Sequence, residues 1–229
     1  MHGTLYIVAT PIGNLEDITL RGIETLKNID LIACEDTRHT QILLARYDIH
    51  KPLLSYFEHN KQTRSKQIIA LLEEGKNVAL VSDAGTPGIS DPGFRVVKEA
   101  IAQNISVVPI PGASAVITAL SASGAPTDRF IFEGFLPNRS AARRKRLLEL
   151  KHDKRTIVFY ESPHRLVASL NDIKDVLGPV DVVVAREITK KFEEIKRGSA
   201  DELINYFEQK KARGEFVIII NQNKKQAKI

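Results

Sequence analysis

The sequence predicts an α/β fold in two domains, and three observations carry that prediction. Short apolar, β-rich runs alternate with longer helix-like segments along the chain. A proline- and glycine-punctuated stretch, Pro109-Ile110-Pro111-Gly112-Ala113-Ser114, breaks the rhythm near the middle. The 229 residues, 43% hydrophobic and 27% charged, suffice for one large buried core or two small ones.

Taken in order, the first half reads as strand Leu5–Ala9, helix Leu20–Asn28, strand Leu31–Cys34, helix Thr37–Tyr47 and strand Pro52–Ser55. Helix Arg64–Glu74, strand Asn77–Val81, helix Gly93–Gln103 and strand Val107–Ile110 follow. In helix 64–74, Ile68, Ile69, Leu71 and Leu72 oppose Lys66, Gln67 and Glu73, the pattern of a surface helix. This alternation predicts a largely parallel sheet. Pro109–Ser114 and the later Gly124-Ala125-Pro126 bracket a small-residue helix, Ala115–Ser123, dividing the chain into residues 1–112 and 113–229. The second half reads as strand Phe130–Phe132, a basic helix over 141–150, strand Thr156–Tyr160, helix Leu166–Leu177 and strand Val180–Ala185. An antiparallel strand Glu194–Arg197, helix Ala200–Lys211 and strand Phe216–Asn221 complete it. The polar tail 223–228 is expected to fray.

The net charge of +5 favours a polyanionic partner without requiring one. The single cysteine, Cys34, excludes an internal disulfide and a cysteine metal cluster, and no metal is expected. Lying in Leu31-Ile32-Ala33-Cys34, it reads as a small buried hydrophobe. Met1-His2-Gly3-Thr4 enters a strand at once with no signal-peptide pattern, and no apolar run approaches the ~20 residues of a membrane span. A cytoplasmic protein with no membrane partner is expected.

The densest signal is Val81–Gly93, which holds three glycines, two prolines, Asp83 and Asp91 directly after an apolar strand. Glycines admit close backbone approach, prolines fix loop shape, and ligands of open α/β sheets bind beyond the carboxyl ends of strands. The loop has neither the Gly-Lys-Ser/Thr ending of a phosphate loop nor Gly-x-Gly-x-x-Gly, so a phosphate cradle is not indicated. Ala9-Thr10-Pro11-Ile12-Gly13-Asn14 is a second small-residue turn at a strand end, with Asp17 or Thr19 available to cap the next helix. Glu35-Asp36-Thr37-Arg38 reads as a helix cap, as part of an active site, or as both, since one residue can serve the two roles. Phe57-Glu58-His59-Asn60 ends a third strand. Glu161-Ser162-Pro163-His164-Arg165 sets a carboxylate, a histidine and an arginine within five residues, suited to acid–base and anion-holding work. Arg186-Glu187-Ile188-Thr189-Lys190-Lys191 ends a strand in the same style. Arg139, Arg143, Arg144, Lys145 and Arg146 are unbalanced by any nearby acid until Glu149 and predict a phosphate-backbone patch. Tyr56, Phe57, Phe135 and Tyr160 are the loop aromatics available to stack on bases.

With these motifs assembled, the chain resembles the ribosomal RNA small subunit methyltransferase I family of the tetrapyrrole methylase superfamily. The stretches that carry the resemblance are Ala9–Leu15, Glu35–Arg38, Val81–Gly93, Pro111–Ala115, Phe135-Leu136-Pro137 and Tyr160–Arg165. It implies two α/β domains with S-adenosyl-L-methionine in the cleft between them. The implied reaction is 2′-O-ribose methylation of a cytidine in small-subunit (16S) ribosomal RNA, free or in the assembled subunit, by a homodimer. It further implies donor contacts from Ile12, Ala84, Gly85, Thr86, Ile89, Ser114, Ala115 and Glu161, with Glu187 or Ile188 near the adenosine. Asp36, His59, Glu161 and Glu187 remain open as proton acceptors, with Arg38 and Arg165 holding phosphate or substrate. Porphyrinoid and diphthine branches favour Gly-Asp-Pro where this chain has Gly85-Thr86-Pro87. They remain alternatives, as does a non-catalytic RNA-binding ribosome factor. Many members also carry a further C-terminal segment that this sequence lacks.

Overall fold

The computed structural model describes residues 2–222. It divides into two compact units, Met1–Ser114 and Ala115–Ile229, so the division falls just past the Gly112 boundary expected from sequence. The tail 223–228 lies outside the described residues. Among those described, no helix is long and apolar enough to cross a membrane.

The first unit contains strands β1 (Thr4–Val8), β2 (Leu31–Cys34), β3 (Leu53–Ser55), β4 (Val78–Leu80) and β5 (Ser106–Ile110), all parallel, in the order β3-β2-β4-β1-β5. Helices α1 (Leu20–Asn28), α2 (Thr37–Arg46), α3 (Lys61–Glu73) and α4 (Phe94–Ala102) connect them. Successive strand residues point to opposite faces, and here both faces are apolar. Leu5, Ala33, Val78 and Leu80 pack with Ile68 and Leu72 of α3 and Val96 of α4. Val8, Ile32, Cys34 and Ala79 pack with Leu26 of α1 and Leu43 and Leu44 of α2. Covering on both faces is why these strands read as unbroken apolar runs. Cys34 is fully buried, and burial pushes its thiol pKa up, consistent with its packing role.

The second unit begins with α5 (Ala115–Ser121). Strands β6 (Phe130–Phe135), β7 (Thr156–Glu161), β8 (Asp181–Arg186), β9 (Glu194–Ser199) and β10 (Phe216–Asn221) form a sheet in the order β6-β7-β10-β8-β9. Helices α6 (Ser140–Leu150), α7 (Leu166–Leu177) and α8 (Ala200–Gln209) pack on it. This sheet is mixed: β6 runs parallel to β7, whereas β10 is antiparallel to β7 and β8, and β9 is antiparallel to β8. The antiparallel setting expected for 194–197 is therefore observed. The carboxyl ends of β6, β7 and β8 share one edge with the amino ends of β9 and β10.

Element boundaries differ from the sequence reading where local chemistry overrides periodicity. Strand 130–132 continues to Phe135 through a register shift, with Gly134 left-handed at φ 63°. Helix 64–74 begins earlier, at Lys61, because Asn60 closes the preceding turn: its Oδ1 accepts from Phe57 N (2.8 Å) and its Nδ2 donates to the Ser55 carbonyl (3.1 Å). Helix 115–123 ends at Ser121; Ser123 turns away, its hydroxyl donating to the Leu120 carbonyl (2.7 Å).

Candidate active site

In the first sheet the connection from β1 leaves towards β2 while that from β4 leaves towards β5. The crevice at the carboxyl ends of β1 and β4 is therefore the topological switch point, where open α/β sheets bind ligands. The two loops flanking it are tied together. Thr10 N donates to the Gly85 carbonyl (2.9 Å) and Gly85 N to the Thr10 carbonyl (3.1 Å). The Thr10 hydroxyl, itself buried, donates to the Ser82 carbonyl (3.0 Å). Gly85 sits at φ 85°, in the left-handed region that side-chain-bearing residues avoid. At the far end of the loop, a Cβ on Gly93 would lie 2.9 Å from Gly88 N, so only glycine lets the loop close on itself. Within this frame Ile12 is buried, Thr86 is half-buried, and Ala84 and Ile89 are exposed. Ser114, after β5, and Ala115, which opens α5, are both half-buried.

Carboxylates gather beside this crevice at the ends of β2 and β4. Asp36 caps α2, accepting from Arg38 N (2.8 Å), and forms an ion pair with the Arg38 guanidinium (2.6 Å). Those bonds hold its carboxyl far below the usual aspartate range. Asp36 N in turn donates to Asp83 Oδ1 (3.0 Å). Burial, then repulsion from Asp83 and Asp36, raises the Glu35 pKa. Burial, then repulsion from Glu35, raises Asp91 to about 6 against the opposing hydrogen bond from Ser82. The cap reading of this motif is thus observed at Asp36, and Arg38, paired with it, is 87% exposed. His59 is exposed, edge-on to Phe57, on the loop after the outermost strand β3; β2 separates it from the switch-point strands. Thr19, rather than Asp17, caps α1, accepting from Gly22 N (3.0 Å).

At the shared edge of the second sheet, Glu161 is enclosed. Its Oε1 accepts from Ser162 N (2.7 Å) and pairs with Arg165 (2.6 Å), and Ser169 donates to its Oε2; the side chain has no exposed surface. Arg165 also donates to the Leu136 carbonyl (3.2 Å) and to Asn138 Oδ1, so one node binds the β6 and β7 loops together. Glu187 is left-handed (φ 48°) and accepts from Glu215 N and Lys190 Nζ (both 3.0 Å). Burial opposes its ionisation, but these bonds outweigh it and lower its pKa. Ile188 is buried.

The basic helix requires a correction. Arg143 is buried in α6: its Nε donates to Asp172 Oδ2 (2.7 Å) and its guanidinium reaches the Pro137 and Asn138 carbonyls. Arg144 pairs with Asp172 and Asp175, and Arg146 with Glu133 and Glu149. Acids far away in sequence thus neutralise three of the five cations, and only Arg139 and Lys145 stand exposed. Tyr56 likewise leaves the set of stacking aromatics, at 1% exposure. Sequence reasoning missed Asp91 as a perturbed carboxyl and Phe192 as an exposed aromatic (64%). The basic-aromatic run Lys190-Lys191-Phe192 was the available signal for the latter.

Residues 4–204 match the family of Tetrapyrrole (Corrin/Porphyrin) Methylases. The chain is similar to a protein of Halalkalibacterium halodurans named ribosomal RNA small subunit methyltransferase I, with 53% identity over 96% of this chain and 76% of that one. A Thermotoga maritima protein of the same name is 52% identical over 96% of this chain and 98% of its own length. Among solved structures, uroporphyrin-III C-methyltransferase of Thermus thermophilus, complexed with S-adenyl homocysteine, superposes with a TM-score of 0.64 at 18% identity. That match covers 96% of this chain and 97% of the other, and shows the shared fold. With the switch-point loop, the two-sheet architecture and these matches in hand, the chain belongs to the ribosomal RNA small subunit methyltransferase I family within the tetrapyrrole methylases.

Proposed function

We propose that this chain is an S-adenosylmethionine-dependent methyltransferase that modifies the ribose 2′-hydroxyl of a cytidine in small-subunit ribosomal RNA. The observation that carries the reading is the bridged crevice at the β1/β4 switch point, with the Gly85-Thr86-Pro87 loop on its rim. The crevice fits the donor. Left-handed Gly85, bonded to Thr10, fixes the floor of the crevice, Ala84 and Ile89 offer accessible apolar surface, and Glu35, Asp83 and Asp91 supply negative charge for a sulfonium cation. Ile12, Thr86, Ser114 and Ala115 complete the expected contacts. The substrate class follows the names of the relatives at about half identity.

The donor supplies an already activated methyl group, so the chain's main contribution is to position it and the ribose hydroxyl. A proton acceptor is also needed, and efficiency peaks when its pKa lies near the working pH. Asp36, Glu161 and Glu187 are committed to ion pairs and backbone donors and serve as anchors. Asp91 and Glu35 keep raised carboxyls beside the donor loop and are the acceptors this reading favours. Arg38, exposed at the same edge, contacts phosphate. Two measurements test the proposal. Calorimetry is expected to detect S-adenosylmethionine binding, and ribose-methylation mapping of small-subunit RNA from cells lacking the protein is expected to lose one cytidine mark. An unaltered map with full donor binding would leave a methyltransferase of another substrate, such as a porphyrinoid; absent donor binding would leave a non-catalytic RNA-binding factor.

A further inference from the structure

We infer that the shared edge of the second sheet is a base-stacking surface for single-stranded RNA, with Phe135 and Phe192 as its two posts. Phe135, at the end of β6, is 56% exposed, yet its ring is backed by Tyr160 (centroids 5.5 Å apart), which Phe132 backs in turn at 5.0 Å. A large exposed ring supported from behind offers one free face and loses little freedom on stacking. The Glu161–Arg165 node fixes the loop that follows it.

Phe192 lies between β8 and β9 on the same edge, 64% exposed, with Lys191 Nζ 5.8 Å from its centroid. Its loop is locked: Glu187 N donates to the Glu215 carbonyl, Thr189 N to Glu193 Oε2 (2.6 Å), and Lys190 is held by Glu187 and Glu215. Left-handed Glu187 and Thr189 set the turn that presents Phe192.

The strand order places three to four inter-strand spacings between the posts, about 14–19 Å at ~4.8 Å each, a span of a few nucleotides. The cations along it suit a phosphate backbone. Arg139 and Lys191 are exposed and make no ion pair among the described residues. Aromatic platforms flanked by such cations recognise unpaired bases with little sequence preference. RNA is favoured over a second copy of the chain because an exposed cation outside any ion pair stands beside each post, Arg139 near Phe135 and Lys191 next to Phe192, and a phosphate backbone would neutralise both. The inference rests on the proposed RNA substrate.

Because the chain contains no tryptophan, Phe135→Trp and Phe192→Trp each introduce a single indole. Oligocytidylate at low salt is expected to quench both indoles. With small ribosomal subunits as substrate, Phe135→Ala and Phe192→Ala are each expected to raise KM roughly 5- to 100-fold, the range for loss of one base–aromatic stack. Donor affinity should hold, and the tryptophan variants should keep near-native KM. Unchanged KM in donor-competent alanine variants overturns the inference, as does quenching by added wild-type protein with none by RNA. If the wild-type chain transfers no methyl to subunits, the proposed function fails instead, and oligocytidylate quenching still tests the surface.

Discussion

Asp91→Asn is predicted to stabilise the first unit at neutral pH. Asp91 titrates near 6 because burial and the neighbouring carboxylates disfavour its charge, whereas an unfolded aspartate titrates near ~3.9. The native state therefore holds its proton to higher pH than the unfolded state does. The contribution of Asp91 to stability is therefore greatest below about pH 4, falls as pH rises through the window to about 6, and is level above it. A shift of about two units corresponds to ~3 kcal/mol at most. Asp91 is only half-buried, so solvent screening reduces this to about 1–1.5 kcal/mol. Asparagine removes the charge and keeps an oxygen to accept from Ser82. At pH 7.5 the variant should melt about 2–6 °C higher, taking 2–4 °C per kcal/mol for a chain of this size, and the gain should vanish near pH 4. The assay is calorimetric melting of both proteins across pH 4–8. A variant that is less stable at pH 7.5, or a difference that ignores pH, would refute the electrostatic account of this loop.

Other substitutions separate anchoring from function. Arg143→Ala should cost about 1–3 kcal/mol by removing the buried partner of Asp172, less than for a bare buried charge because Arg144 and Ser140 still bond Asp172, seen as a lower urea midpoint; RNA affinity of the protein that remains folded should be unchanged. Arg38→Ala, at an exposed pair, should leave the urea midpoint nearly unchanged. Asp36→Ala should lower the urea midpoint through loss of the α2 cap, by more than Arg38→Ala does. Gly85→Ala places a side chain in left-handed backbone at roughly 1–2 kcal/mol; because the added Cβ would sit 3.5 Å from Ile12, an ordinary contact, the effect should register as weakened donor binding in calorimetry rather than as failure to fold.

The alternation of apolar runs and helices was legible in the sequence because both faces of the first sheet are covered. The glycines and prolines of Val81–Gly93 marked the loop that flanks the switch-point crevice, because the backbone shape they impose is written locally. What periodicity does not encode is long-range pairing. Five cations in eight residues look unbalanced only along the chain: Asp172 and Asp175 reach Arg143 and Arg144 from α7, and Glu133 reaches Arg146 from β6. The mixed sheet escaped for a similar reason, since β10 inserts between β7 and β8 from the far end of the sequence. Asp91 is unremarkable beside Pro92; its pKa is raised first by burial in the folded loop and then by Glu35, which strand pairing brings near from the end of β2.

The two sheet edges solve different problems with the same topological device. Along the first, the surface is backbone and small residues, and charge is left incompletely paired: burial first, and repulsion from neighbouring carboxylates second, raise the pKa of Glu35 and of Asp91. Along the second, charge is spent on scaffolding, for Glu161, Glu187 and most of the α6 arginines are bonded internally. A cationic donor would relieve the first edge, so its affinity should rise as pH passes through 6 and Asp91 ionises, and Asp91→Asn should flatten that rise. The second edge has no comparable charge to relieve. Its free chemistry is aromatic, with Arg139 and Lys191 beside it, which suits the proposed partner recognised by stacking.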